Sequence, residues 1–174
     1  MNIVLIGYRG TGKSEVGKLL AERLKMKYVG MDVEIVKRVG MNIPEIVEKY
    51  GWLKFRNMET EVAMDLSGQD NLVIDTGGGM IEWEGNIDML RQNSRIFWLK
   101  ASVNTIVLRI QADTQRPALI EGKTFTEEVA EVLERRIPKY KSAAQYDIDT
   151  DNLTVEQVVD HIIGMYKKTD KQLC

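Results

Sequence analysis

The chain has 174 residues, 44% hydrophobic and 29% charged, with a formal net charge of −2 and three prolines. That is the make-up of one globular domain with an ordinary core, and it argues against long disordered linkers, a transmembrane segment, and nucleic acid or membrane as the main partner. Its one cysteine, Cys174, leaves no structural disulfide and fits a cytoplasmic setting, and the apolar run at 3–6 is too short for the h-region of a signal peptide.

That run, Ile3-Val4-Leu5-Ile6, reads as a buried strand and leads directly into Gly7-Tyr-Arg-Gly-Thr-Gly-Lys13-Ser14. The spacing G-x-x-x-x-G-K-[ST] between a strand and a helix is that of a phosphate-binding loop. Glycines let successive N–H groups face phosphate oxygens, the following helix adds its positive end, Lys13 reaches the β- and γ-phosphates, and Ser14 can ligate Mg²⁺. Residues 14–24 carry Val16, Leu19, Leu20 and Leu24 at helical spacing.

A second strand, 27–30, precedes Asp32 and Glu34. Ligands of parallel sheets bind at the carboxyl ends of strands, so Asp32 fits either a water-mediated contact to Mg²⁺ or an N-cap for the next helix. Helical patterns follow at 33–39, 43–50 and 55–66, the last two separated by Gly51. A strand at 72–74 ends on Asp75, where a metal-site role and a structural hydrogen bond both remain open. Thr76-Gly77-Gly78-Gly79 comes next. Three glycines in a row suit close approach of backbone to a ligand, with a tight turn as the alternative.

The remaining elements are a strand at 96–99, a helix at 103–110, a polar stretch at 112–126 that reads as a mobile flap, a helix at 127–140, a short strand at 146–149 and a helix at 155–166. Strands alternating with helices specify an α/β sandwich on a parallel sheet. Arg56, Arg109, Arg116 and Arg136 stand beside the glycine-rich loops or the flap, and the guanidinium fork suits carboxylate or phosphate. Trp52, Trp83 and Trp98 read as packing, with Trp52 near Arg56.

Together these motifs resemble the shikimate kinases over nearly the whole chain: the loop at 7–14, the acidic pair at 32 and 34, Phe55-Arg56 with Glu59, Thr76-Gly77-Gly78-Gly79, Arg116-Pro117, and Arg136-x-Pro138-x-Tyr140. The resemblance implies the nucleoside monophosphate kinase fold, a P-loop three-layer sandwich with a five-stranded parallel sheet in the order 2-3-1-4-5, residues 1–174 forming one domain. It implies transfer of phosphate from ATP to the 3-hydroxyl of shikimate by a monomer. Gly10, Thr11, Gly12, Lys13, Ser14 and Glu15 would wrap the ATP phosphates, Ser14 would bind Mg²⁺ with Asp32 close by, and Arg109 with 150–154, Thr154 included, would enclose the adenine. Arg56, Gly78 and Arg136 would hold shikimate, Glu34 would accept from its reacting hydroxyl, and Arg116 would descend with the flap. Lys13, Glu34 and Arg116 are thus the expected catalytic groups.

Two positions depart from the family. Most members carry aspartate where this chain is read to have Glu34, and threonine or serine where it has Glu15; a carboxylate at 15 would repel phosphate unless it faced solvent. A same-fold kinase of gluconate or of a nucleotide, and a nucleotide-binding module without catalysis, are the rival readings.

Overall fold

The computed structural model describes residues 1–110 and 124–170, with backbone alone at 169 and 170. In chain order they form β1 (Asn2–Ile6), α1 (Lys13–Leu24), β2 (Lys27–Gly30), α2 (Met31–Val39), α3 (Ile43–Ser67), β3 (Leu72–Asp75), a 3₁₀ turn (Met80–Glu82), α4 (Glu84–Arg91), β4 (Ser94–Lys100), α5 (Val103–Ile110), α6 (Phe125–Ala143), β5 (Tyr146–Asp149) and α7 (Val155–Asp170). The five strands make one sheet in the order β2-β3-β1-β4-β5, and every pairing is parallel. The expected topology is therefore correct.

Side chains alternate across a strand, and β1 divides the core accordingly. Val4 and Ile6 join Ile74, Ile96, Phe55 and Tyr140 on the face covered by α2, α3, α4 and α6. Ile3 and Leu5 join Leu20, Val73, Phe97, Val159 and Ile162 on the face covered by α1 and α7. Burying each such side chain stabilises by about 1.5–3 kcal/mol. A third cluster, Tyr8 with Ile106, Ile110, Val129 and Val132, fixes α5 and α6 beside the phosphate loop.

Local chemistry sets the helix limits. Asn42 accepts from the Glu45 backbone while Glu45 accepts from the Asn42 backbone, a reciprocal cap that starts α3. Gly51, at φ 78° and ψ 165°, breaks α3 into the two helical patterns read from sequence. The same reciprocal cap, Thr124 with Glu127, starts α6 at Phe125, so the last three residues of the expected flap form the entrance of that helix. The rest of the expected flap, and Arg116 with it, lies outside the described residues. The turn at 80–82 and α4 had no counterpart in the sequence reading, because α4 is eight residues long, contains Gly85 and buries only Asn86, Ile87 and Leu90. No helix among the described residues is long and apolar enough to cross a membrane.

Candidate active site

All strands point the same way, so the segments that follow them converge on one rim of the sheet: the phosphate loop after β1, Asp32 after β2, Asp75 and the glycine triplet at β3, and Thr150 after β5. The phosphate loop, Asp32, Asp75 and Gly78 line a cleft of about 530 Å³.

In the phosphate loop, Gly10 and Gly12 take φ of 78° and 89°, a region costly for side-chain-bearing residues. Lys13 is 7% exposed and folds its ammonium back onto the Gly7 and Tyr8 carbonyls, both at 2.9 Å. The loop is thus braced by the cation that a phosphate would recruit. Glu15 is exposed on the cleft rim, in keeping with its expected solvent orientation.

Ser14 settles a point the sequence left open. Its hydroxyl donates to Asp75 Oδ2 at 2.6 Å, and the Tyr28 phenol donates to the same oxygen at 3.0 Å. Burial, and then the charge of Asp75, raises the Tyr28 phenol far above its usual range, so Tyr28 remains a donor. The carboxylate bonded to Ser14 is Asp75, and Asp32 lines the same cleft. A serine hydroxyl beside a carboxylate is a hard oxygen set of the type Mg²⁺ takes, so these residues fit that ion.

Asp32 lines the same cleft and reaches the glycine triplet. A Cβ at Gly77 would stand 2.8 Å from Asp32 Oδ1 and 2.7 Å from Glu59 Oε1, so both carboxylates press against the glycine triplet. The N-cap of α2 is Gly30, with no side-chain cap bond, which removes the capping alternative for Asp32. Glu34 is a second correction. Because α2 already begins at Met31, Asp32 and Glu34 lie about 200° apart around the helix, and Glu34 is turned away. It accepts from Arg38 Nε at 2.9 Å, and Arg38 also donates to Asp65 at 2.6 Å on the outer surface. The acidic pair read from sequence is one cleft carboxylate and one surface ion pair.

Around the triplet two arginines converge. Arg56 donates to Glu59 at 2.5 Å, with its guanidinium 5.3 Å from the Trp52 ring centre. Burial pushes the Glu59 carboxyl up against the opposing pull of Arg56. A Cβ on Gly79 would overlap the Arg56 guanidinium, so glycine is what admits that arginine. Arg136 is 4% exposed and donates to the Gly78 carbonyl at 3.1 Å and to Glu82 at 2.7 Å. One turn on, Tyr140 donates to the same carbonyl at 2.6 Å. Burial favours the uncharged Glu82 carboxyl, yet hydrogen bonds from Lys139 and Arg136 hold it at about 2.

At the opposite end, Arg109 donates to the Gly10 carbonyl at 3.2 Å and to Thr150 Oγ1 and O at 3.1 and 2.9 Å, joining phosphate loop to β5. Thr154 is not part of that contact. It is exposed and accepts from the Gln157 backbone at 3.3 Å, capping α7, so within the segment 150–154 it is Thr150 that meets Arg109.

A family model described as shikimate kinase matches residues 9–167. The chain belongs to the shikimate kinase family. It is 41% identical over 167 residues to a shikimate kinase of Thermodesulfovibrio yellowstonii, covering 96% of this chain and 95% of that one. It is 39% identical over 165 residues to one of Caldicellulosiruptor bescii, covering 95% of each. A structure of shikimate kinase from Acinetobacter baumannii in complex with shikimate superposes with a TM-score of 0.92 at 33% identity, over 97% of this chain and 93% of that one. The chain is thus an enzyme, a nucleotide-binding kinase of the transferase class.

Sequence reasoning missed Tyr28, Glu82 and Arg9. Arg9 pairs with Glu128 at 3.0 Å, both largely buried, and lies 5.2 Å from the Phe125 ring centre, tying the phosphate loop to the first turn of α6. These residues carry no motif of their own; their partners are 47, 54 and 119 positions away in sequence.

Proposed function

We propose that this chain transfers the γ-phosphoryl group of ATP to the 3-hydroxyl of shikimate, giving ADP and shikimate 3-phosphate. The observation that carries this reading is the meeting of Arg56 and Arg136 at Gly78–Gly79, with Gly78 itself on the wall of the cleft that the phosphate loop borders. Two guanidinium groups beside bare backbone suit a small carboxylate.

In this reading Lys13 leaves the Gly7 and Tyr8 carbonyls for the β- and γ-phosphates, and Arg109 with Thr150 borders the adenine. Ser14, oriented by Asp75, would hold Mg²⁺, which when bound neutralises charge on the transferring group. Arg136 and Arg56 grip the shikimate carboxylate and ring hydroxyls. Asp32, in the role first read for Glu34, accepts from the reacting hydroxyl and orients it in line. Arg116 comes to the phosphates from the segment before α6, and exclusion of water there suppresses ATP hydrolysis. The family relation disfavours gluconate or a nucleotide as acceptor.

The test is ADP release by purified protein with Mg·ATP. Shikimate is expected to stimulate it strongly, with gluconate and nucleoside monophosphates inert. Release with gluconate and none with shikimate would overturn the acceptor assignment.

A further inference from the structure

We propose that Tyr28 is a positioning residue for the cation site: its phenol holds the Asp75 carboxylate that in turn fixes the Ser14 hydroxyl. The inference rests on the phosphoryl-transfer reading above and deepens it.

Two independent observations support it. The first is the hydrogen-bond chain. Tyr28 and Ser14 both donate to Asp75 Oδ2, at 3.0 and 2.6 Å. A serine hydroxyl has one proton; with that proton committed to Asp75, what Ser14 offers the cleft is its oxygen lone pairs, the part a cation needs. A carboxylate held by one donor can rotate about its terminal torsion. Held by two from different elements, β2 and α1, it is locked, and Ser14 is locked with it.

The second observation is the space cleared for the ring. A Cβ on Gly17 would lie 2.8 Å from Tyr28 Cε2, and a Cβ on Gly30 would lie 3.1 Å from the Tyr28 hydroxyl. Gly17 sits inside α1, where glycine costs about 1 kcal/mol relative to alanine. Two glycines therefore flank one phenol, one beside the ring and one beside the oxygen. At Gly30, the residue on the cleft wall before Asp32, no side chain competes with the phenol for Asp75.

Partners of this kind, one bond removed from the ligand, commonly change metal affinity by about 10–100-fold. The test uses Tyr28→Phe, which keeps the ring and removes only the hydroxyl, and Gly30→Ala, which keeps the hydroxyl and crowds it. Two readouts are taken: the Mg²⁺ concentration giving half-maximal shikimate-dependent ADP release, and Mn²⁺ affinity of the ADP-bound protein by electron paramagnetic resonance. Tyr28→Phe is expected to weaken both by about 10-fold, with the KM for shikimate unchanged and the metal-free melting temperature lowered by a few degrees at most. Gly30→Ala is expected to shift both in the same direction by less. Unchanged Mg²⁺ demand and Mn²⁺ affinity in both variants would overturn the proposal, as would a loss confined to shikimate KM or to melting temperature. If the parent protein showed no shikimate-dependent ADP release, the functional reading would fail, while the Mn²⁺ measurement would still decide the role of Tyr28.

Discussion

The phosphate loop draws its lysine and serine from eight consecutive residues and does the rest with backbone, whereas the far end of the cleft gathers Arg56 and Glu59 from α3, Glu82 from a 3₁₀ turn, and Arg136 and Tyr140 from α6 around Gly77–Gly79. In the first, the cation is braced on carbonyls of its own loop. In the second, each cation already has a carboxylate partner, Glu59 for Arg56 and Glu82 for Arg136. A set of paired side chains depends on every partner, because removing one member of a buried pair leaves the other uncompensated.

The sharpest way to separate the two ends is Lys13→Ala. Loss of one preorganised cation at the transferring group is expected to lower kcat by about 10³-fold while leaving shikimate affinity, measured by calorimetry, nearly intact. A matching loss of shikimate affinity would mean the two ends are not independent.

Gly79→Ala probes the other end. Gly79 has φ −92° and ψ −4°, a bridge-region conformation that side-chain-bearing residues take in type I turns, so the backbone does not require glycine there. The new methyl group would displace the Arg56 guanidinium, and with a charge-assisted hydrogen bond worth about 1.5–3 kcal/mol the KM for shikimate is expected to rise about 10–100-fold with KM for ATP unchanged. An unaffected shikimate KM would show that Arg56 does not contact the acceptor.

A smaller effect should appear in acid. The folded Glu82 carboxyl sits at about 2 against an ordinary 4.5, so its contribution to stability is present above about pH 4.5 and is lost as pH falls from there toward 2. Glu82→Gln is expected to melt about 3 °C below the parent at pH 7, a loss on the order of 1 kcal/mol, with the gap narrowing below about pH 4.5 and closing toward pH 2. A gap that stayed constant with pH would remove the electrostatic explanation.

The smallest effect is expected at Glu34. Its partner is Arg38 on the exposed side of α2, and exposed pairs contribute about 0–1 kcal/mol, so Glu34→Gln should leave kcat and KM within about twofold. A large loss would restore Glu34 to the site.

These contrasts also explain what the sequence could and could not say. The central strands β1, β3 and β4 were readable because parallel strands buried on both faces are apolar runs, and the phosphate loop because its residues are adjacent. Glu34 was misplaced by one physical detail: the residues after β2 turn helical at Met31, two positions earlier than the apolar pattern suggested, and on a helix neighbours two apart face opposite ways. The segment 150–154 was read as one wall, and only the fold shows that Thr150 meets Arg109 while Thr154 caps α7. Asp75 was noticed but undecided, since its partners Ser14 and Tyr28 come from other strands and helices.

The most direct test of the central claim is the identity of the product. Protein, Mg·ATP and shikimate should yield shikimate carrying one added phosphoryl group by mass spectrometry, with phosphorus-31 and proton NMR placing it on the 3-hydroxyl. ATP consumed to ADP and free phosphate with shikimate recovered unchanged, or a phosphoryl group on any other position, would contradict the account.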